Sequence, residues 1–140
     1  MSPLDSQAAL AAFPISIKGV LLVEDGVVLV KNRRNEWELP GGRIEVDETP
    51  EKTLAREFEE ELSLEVDVQA PIDSYLFEVV PDRRVFIVTY ACTLAGEFRP
   101  GVGDEHSEFC ICPVADLPGI DLPEGYRRSV ERWSSAVSEK

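Results

Sequence analysis

Along most of this chain the apolar residues run in short stretches of alternating or continuous character, punctuated by Gly, Pro and Asp. The stretch 15–23, Ile-Ser-Ile-Lys-Gly-Val-Leu-Leu-Val, reads as a strand, and 27–31 reads as a second. Asp25-Gly26 between them predicts a hairpin turn, because glycine tolerates the positive φ that such turns require. Trp37-Glu38-Leu39 predicts a short strand stopped by Pro40-Gly41-Gly42, and a loop runs on to Glu48. Residues 66–80 and 84–94 are two long strand-like stretches joined by a turn at Pro81-Asp82, and Glu108 to Pro113 is a further strand. Helical spacing is confined to two places. Residues 50–62 follow Thr49, a good N-cap, and open on Pro50, which suits a first helical position. Residues 124–137 carry Tyr126, Val130, Trp133 and Val137 at helical intervals. Residues 1–13 lack a period and read as a frayed terminus. Strands pairing around two helices predict an α/β chain: a mixed β-sheet between helices, an α/β/α sandwich, in a single domain over 1–140.

Charge changes this picture. The 140 residues carry 14 basic and 27 acidic side chains, a net −13. Such a balance argues against a nucleic-acid polymer as partner and against docking on an anionic membrane. No apolar run approaches the ~20 residues of a membrane helix, and residues 1–13 hold no Lys or Arg, unlike a signal peptide. The three cysteines, Cys92, Cys110 and Cys112, form no C-x-x-C pair, and His106 is the one histidine. A cytoplasmic location is the expectation.

The acidity is concentrated. Between Glu45 and Glu65 stand nine acidic and two basic residues, a balance of −7 within 21 positions. On a helical wheel starting at Leu54, Phe58, Leu62 and Ala55 fall between ~40° and ~100° and form an apolar stripe. Glu57, Glu60 and Glu61 fall between ~240° and ~340°, a single carboxylate face, and Glu59 points away near ~140°. Carboxylates at i, i+3 and i+4 repel, and hard divalent cations such as Mg²⁺ offset that repulsion with oxygen coordination. Taken alone, such a helix is usually only a solvated acidic face, with Arg56 pairing Glu60, so the helix by itself does not carry the metal reading.

The residues ahead of the helix narrow the choice. From Gly42 the chain runs five residues to Glu48, then seven to Arg56-Glu57-Phe58-Glu59-Glu60-Glu61-Leu62-Ser63-Leu64. This resembles the Nudix box, G-x5-E-x7-R-E-U-x-E-E-x-G-U, with U a bulky apolar residue. Every position agrees except Ser63, which stands where the family has glycine. Trp37-Glu38-Leu39-Pro40-Gly41-Gly42 is similar to the usual lead-in.

The resemblance implies a Nudix-type α/β/α sandwich that hydrolyses a pyrophosphate bond in a nucleoside diphosphate-linked small molecule, most simply a nucleoside triphosphate. It implies Mg²⁺, with Mn²⁺ as a substitute, held by Glu57, Glu60 and Glu61. Glu48 holds a further ion or supports these ligands, and Arg56 orients a ligand carboxylate. Glu60 or Glu61 takes the proton from the attacking water, with Glu105 or Glu108 as helper from outside the box. Gly41 and Gly42 let the loop fold over the helix N-terminus. Arg33 and Arg34 meet substrate phosphates or are surface charge, and Trp37, Phe77, Phe86 and Tyr90 stack on a base or fill the core. Serine at 63 carries a left-handed backbone at a cost of ~1 kcal/mol and removes no ligand. A non-catalytic nucleotide-sensing domain on the same fold is the rival reading. An acidic Ca²⁺-binding protein is a weaker one, because no D-x-[DN]-x-[DN]-G loop is present. Oligomeric state stays open, a homodimer included.

Overall fold

The computed structural model describes residues 9–101 and 108–138. Its elements are β1 (Ile15–Val23), β2 (Gly26–Lys31), β3 (Trp37–Glu38), β4 (Gly41–Arg43), α1 (Pro50–Leu62), β5 (Val66–Val80), β6 (Arg83–Leu94), β7 (Phe109–Pro113), a 3₁₀ turn (Val114–Gly119) and α2 (Glu124–Ser138). The sheet runs β3-β2-β1-β6-β5, with β4 paired to β1 and β7 to β2. Among the described residues only β1 and β6 pair in parallel; the other pairs are antiparallel.

Alternate side chains leave the sheet on opposite sides. On β2, Val28 and Val30 pack into the core beneath α1, and Val27 and Leu29 into the core beneath α2. From α1, Leu54, Phe58 and Leu62 complete the first core; from α2, Tyr126 and Val130 complete the second. The expected α/β/α sandwich with a mixed sheet is therefore the fold. Two apolar assignments change. Ala55 is exposed, and the buried Thr53 lies on the inner side of α1 in its stead. Val137 at the far end of α2 is 43% exposed, since the helix runs on past the core.

β1 and β2 separate soon after their hairpin. They pair only at Leu22↔Val27 and Val23↔Gly26. The positive φ in this turn belongs to Glu24, at 57°, not to Gly26. Gly26 is small for another reason: a Cβ there would press on Ile111 and the Cys112 carbonyl. Beyond the hairpin the chain 37–43 spans the gap. Its β3 pairs with the end of β2 (Val30↔Glu38, Lys31↔Trp37), and its β4 pairs with the start of β1 (Ile17↔Gly42, Lys18↔Gly41). Between them the Gly19 N–H donates to the Pro40 carbonyl at 3.0 Å. The Gly-Gly pair thus belongs to a strand rather than stopping one.

On the opposite face α2 is clamped to β5. Asp73, with a side chain 7% exposed, pairs with Arg128 at 2.7 Å and Arg132 at 3.1 Å, and the Ser129 hydroxyl donates to it at 3.3 Å. Burial alone would raise the Asp73 pKa. The hydrogen bond and charge of Arg128, with help from the Ser74 N–H and Arg132, outweigh burial and lower it.

Candidate active site

α1 is fixed at both ends. Thr49 Oγ1 accepts the Lys52 N–H at 3.2 Å, and Pro50 stands at the first turn, where its missing N–H costs nothing. At the far end Ser63 adopts the left-handed conformation, φ 52° and ψ 38°. Its N–H donates to the Glu59 carbonyl at 2.9 Å, and the Leu64 N–H donates to the Phe58 carbonyl at 3.3 Å. Serine therefore takes the conformation for which glycine is preferred, and the helix end is preserved.

One cation organises the acidic face. The Arg56 guanidinium forks onto Glu48, Nε to Oε2 at 2.7 Å and Nη2 to Oε1 at 2.9 Å. Its Nη1 donates to Glu57 at 3.1 Å and to Glu60 at 3.3 Å, and Glu45 lies 3.5 Å from Nη2. Glu48 also accepts from the Glu45 N–H and the Thr53 hydroxyl. The Arg56 hydrogen bond, against some burial, lowers the Glu48 pKa to about 2, with those two donors assisting. Glu48 contributes raising the Arg56 pKa in turn. The i,i+4 pairing with Glu60 is thus one arm of a wider network.

Glu61 lies apart from this network. It is half-buried, and its Oε1 accepts the Gly41 N–H at 3.2 Å. Burial pushes its pKa well above the carboxylate range. The Lys18 charge and the Gly41 N–H oppose this, and the adjacent Glu57 carboxyl adds to it. The two glycines of β4 make the approach possible. Gly41 has φ 143°, and a Cβ on it would strike the Ile17 carbonyl; a Cβ on Gly42 would enter the Glu57 carboxylate.

Among the described residues no three acidic, His or Cys side chains converge closely enough to hold a metal ion, and Arg56 is the cation that Glu45, Glu48, Glu57 and Glu60 share. The chemistry of the donor set nonetheless fits a hard divalent cation: all ligand atoms are carboxylate oxygens, negative charge exceeds the one arginine, and Glu61 and Glu57 lie side by side in partial burial.

The remaining candidates divide. Glu105 lies outside the described residues. Glu108 is exposed and contacts Lys31, side chain at 3.7 Å and backbone carbonyl at 2.9 Å, rather than the box. Arg33 is exposed and makes no ion pair among the described residues, and Arg34 pairs with Glu36 at 2.8 Å. Of the aromatics, Trp37 and Phe77 line a cavity of about 400 Å³ together with Arg34, Glu38, Leu122 and Tyr126. Tyr90 is in the core under α1, and Phe86 lines a separate shallow depression. The sequence reading missed Lys18. It is 6% exposed, 3.7 Å from Glu38 on the cavity wall, and its charge acts on Glu61. A lone lysine inside an apolar strand was the available signal.

The NUDIX domain model matches residues 7–133. A MutT-like protein of Streptomyces ambofaciens is 48% identical over 56 residues, 39% of this chain and 36% of that protein. An 8-oxo-dGTP diphosphatase of Proteus vulgaris is 37% identical over 57 residues, 41% of this chain and 50% of that protein. The match spans half or less of the length of these curated relatives. The crystal structure of a NUDIX-family hydrolase from Clostridium perfringens is similar in fold, with TM-score 0.75 at 20% identity, covering 91% of this chain and 99% of that one.

Proposed function

This chain belongs to the NUDIX domain family, and on that footing we propose that it is a Mg²⁺-dependent hydrolase of a pyrophosphate bond in a small nucleotide, most simply a nucleoside triphosphate. The observation that carries the reading is the carboxylate surplus of α1 beside an aromatic cavity, bridged by Lys18 and Glu38. Glu57, Glu60 and Glu61 are the metal-holding residues, with Glu48 behind them; Mn²⁺ suits the same oxygens. A divalent ion held there supplies neutralisation of phosphate oxygens and a more acidic water.

The chain's own groups do the rest. Arg56 fixes the rotamers of Glu48, Glu57 and Glu60 through its fork, so their oxygens are positioned before substrate arrives. Glu61, anchored by the Gly41 amide, accepts the proton from the attacking water. Trp37, Phe77 and Tyr126 bound the space for the base and sugar. The three free cysteines and the domain's acidity agree with a cytoplasmic catalytic domain acting on metabolites; among the described residues no helix is long and apolar enough to cross a membrane.

The test is phosphate or nucleotide release across nucleoside triphosphates including 8-oxo-dGTP, ADP-ribose and dinucleoside polyphosphates, with Mg²⁺ and with EDTA. Turnover of at least one compound, abolished by EDTA and restored by Mg²⁺, is expected. Tight nucleotide binding with no turnover on any would establish the sensor reading instead.

A further inference from the structure

A second cavity, of about 500 Å³, reaches Arg43 at the end of β4 and has the opposite charge. Arg34, Arg43, Arg83 and Arg84 line it, with Asp82 as the one acidic residue of the lining. The protein carries only 14 basic residues against 27 acidic ones, so four arginines around one opening stand out against the background. Among the described residues neither Arg43 nor Arg83 has an ion-pair partner. Arg34 is neutralised by exposed Glu36, and Arg84 lies over the Phe13 ring at 5.5 Å rather than on a carboxylate. Guanidiniums that outnumber their counter-charges repel one another, and their planar forks match phosphoryl oxygens.

Position makes the cluster more than a surface patch. The Arg43 carbonyl accepts from Arg56 Nη2 at 3.4 Å, so the residue that projects into the basic cavity is tied through its backbone to the centre of the acidic network. Arg34 and Val79 line both this cavity and the aromatic one. Arg83 and Arg84 stand at the start of β6, held opposite Val80 and Glu78 of β5. A substrate cleaved at α1 with its base in the aromatic cavity therefore has the arginines as its next neighbours.

The geometry points to a second anion site: Arg34, Arg43, Arg83 and Arg84 take a phosphoryl group that the substrate carries beyond the pyrophosphate bond cleaved at α1. This rests on the hydrolase reading for the identity of the ligand, but the site itself can be measured without turnover. Calorimetric titration of the whole chain with inorganic tripolyphosphate in EDTA isolates it, because the metal-free acidic helix repels that anion. Wild type is expected to bind; the double variant Arg43→Gln/Arg83→Gln is expected to bind at least about tenfold more weakly, and Arg83→Lys to fall between the two, because it keeps the charge and loses the fork. Both side chains are exposed, and thermal unfolding reports whether the variants fold. No binding by wild type, or equal binding by a folded double variant, overturns the site. In steady state with Mg²⁺, the double variant is expected to raise KM for a dinucleoside tetraphosphate about tenfold over its effect on ADP-ribose, with kcat moving less than KM. Should wild type turn over nothing, the hydrolase reading fails while the EDTA titration still decides the site. Should it turn over both compounds with the KM ratio unmoved by the variant, the anion site fails and the hydrolase reading stands.

Discussion

The two helices that flank the sheet are both tied down by arginine and carboxylate, in opposite proportion. On α1 a single arginine, Arg56, contacts four carboxylates, those of Glu45, Glu48, Glu57 and Glu60. Between α2 and β5 a single carboxylate, Asp73, is held by Arg128 and Arg132. The first arrangement leaves negative charge uncompensated at a half-open surface. The second closes around a side chain that is nearly buried, with its hydrogen-bonding capacity taken up by Arg128, Arg132, Ser129 and a backbone N–H. Ion pairs of one chemical type thus have two outcomes: unmatched carboxylates leave surplus negative charge, and matched charge makes a clasp.

Substitutions separate the two. The largest effect is expected from Glu61→Gln, with Glu60→Gln close behind: turnover with Mg²⁺ falls by about 10²–10⁴-fold while circular dichroism is unchanged. Wild-type rates in either would remove these residues from the chemistry. Arg56→Gln is expected to lower activity by about 10–100-fold, because the carboxylates lose the group that orients them, and to raise the Mg²⁺ concentration giving half-maximal rate. At the clasp the expected signature is the reverse. Asp73→Asn destabilises the fold by about 1–2 kcal/mol, read in urea unfolding, and leaves kcat within a few-fold of wild type. Its pH dependence follows from the sign of the shift. The folded-state pKa of Asp73 is lowered, so the contribution is complete above the ordinary aspartate value near ~4 and is lost as pH falls through the still lower folded value. The stability gap between wild type and Asp73→Asn should therefore be flat from neutral pH to about 4 and close below it; a gap that closes near neutrality contradicts the assignment. The smallest expected effect is that of Ser63→Gly, a gain of up to ~1 kcal/mol from relief of the left-handed backbone, with turnover unaltered.

The comparison also shows what the sequence made legible. Both helices were readable because capping residues and apolar spacing are local signals; the division of the α1 carboxylates between Arg56 and the Gly41 amide was not. The role of Gly41 and Gly42 was not, because two glycines after a proline look like a break. Their reason for being there is the backbone of Ile17 and the carboxylate of Glu57, which pairing brings together from distant positions. The parallel pairing of β1 with β6 leaves no periodic trace in either strand. Asp73 and Lys18 carry no local signal for the same reason: each sits in an extended run, and its partners, on α2 and on β3, are fixed by tertiary packing alone. Ser63 was the opposite case, since its left-handed backbone follows from its place at the helix end.

The short span from Trp37 to Arg43 is a gauge of fixed length. It carries the aromatic wall at one end, the amide that holds Glu61 in its middle and an arginine of the basic cavity at the other. Both ends are stitched into different strands, and the Pro40 carbonyl is pinned to Gly19. The length of this gauge is fixed, since adding or removing one residue would slide one end against the strand that holds it and turn every side chain beyond that point to the other face of the sheet.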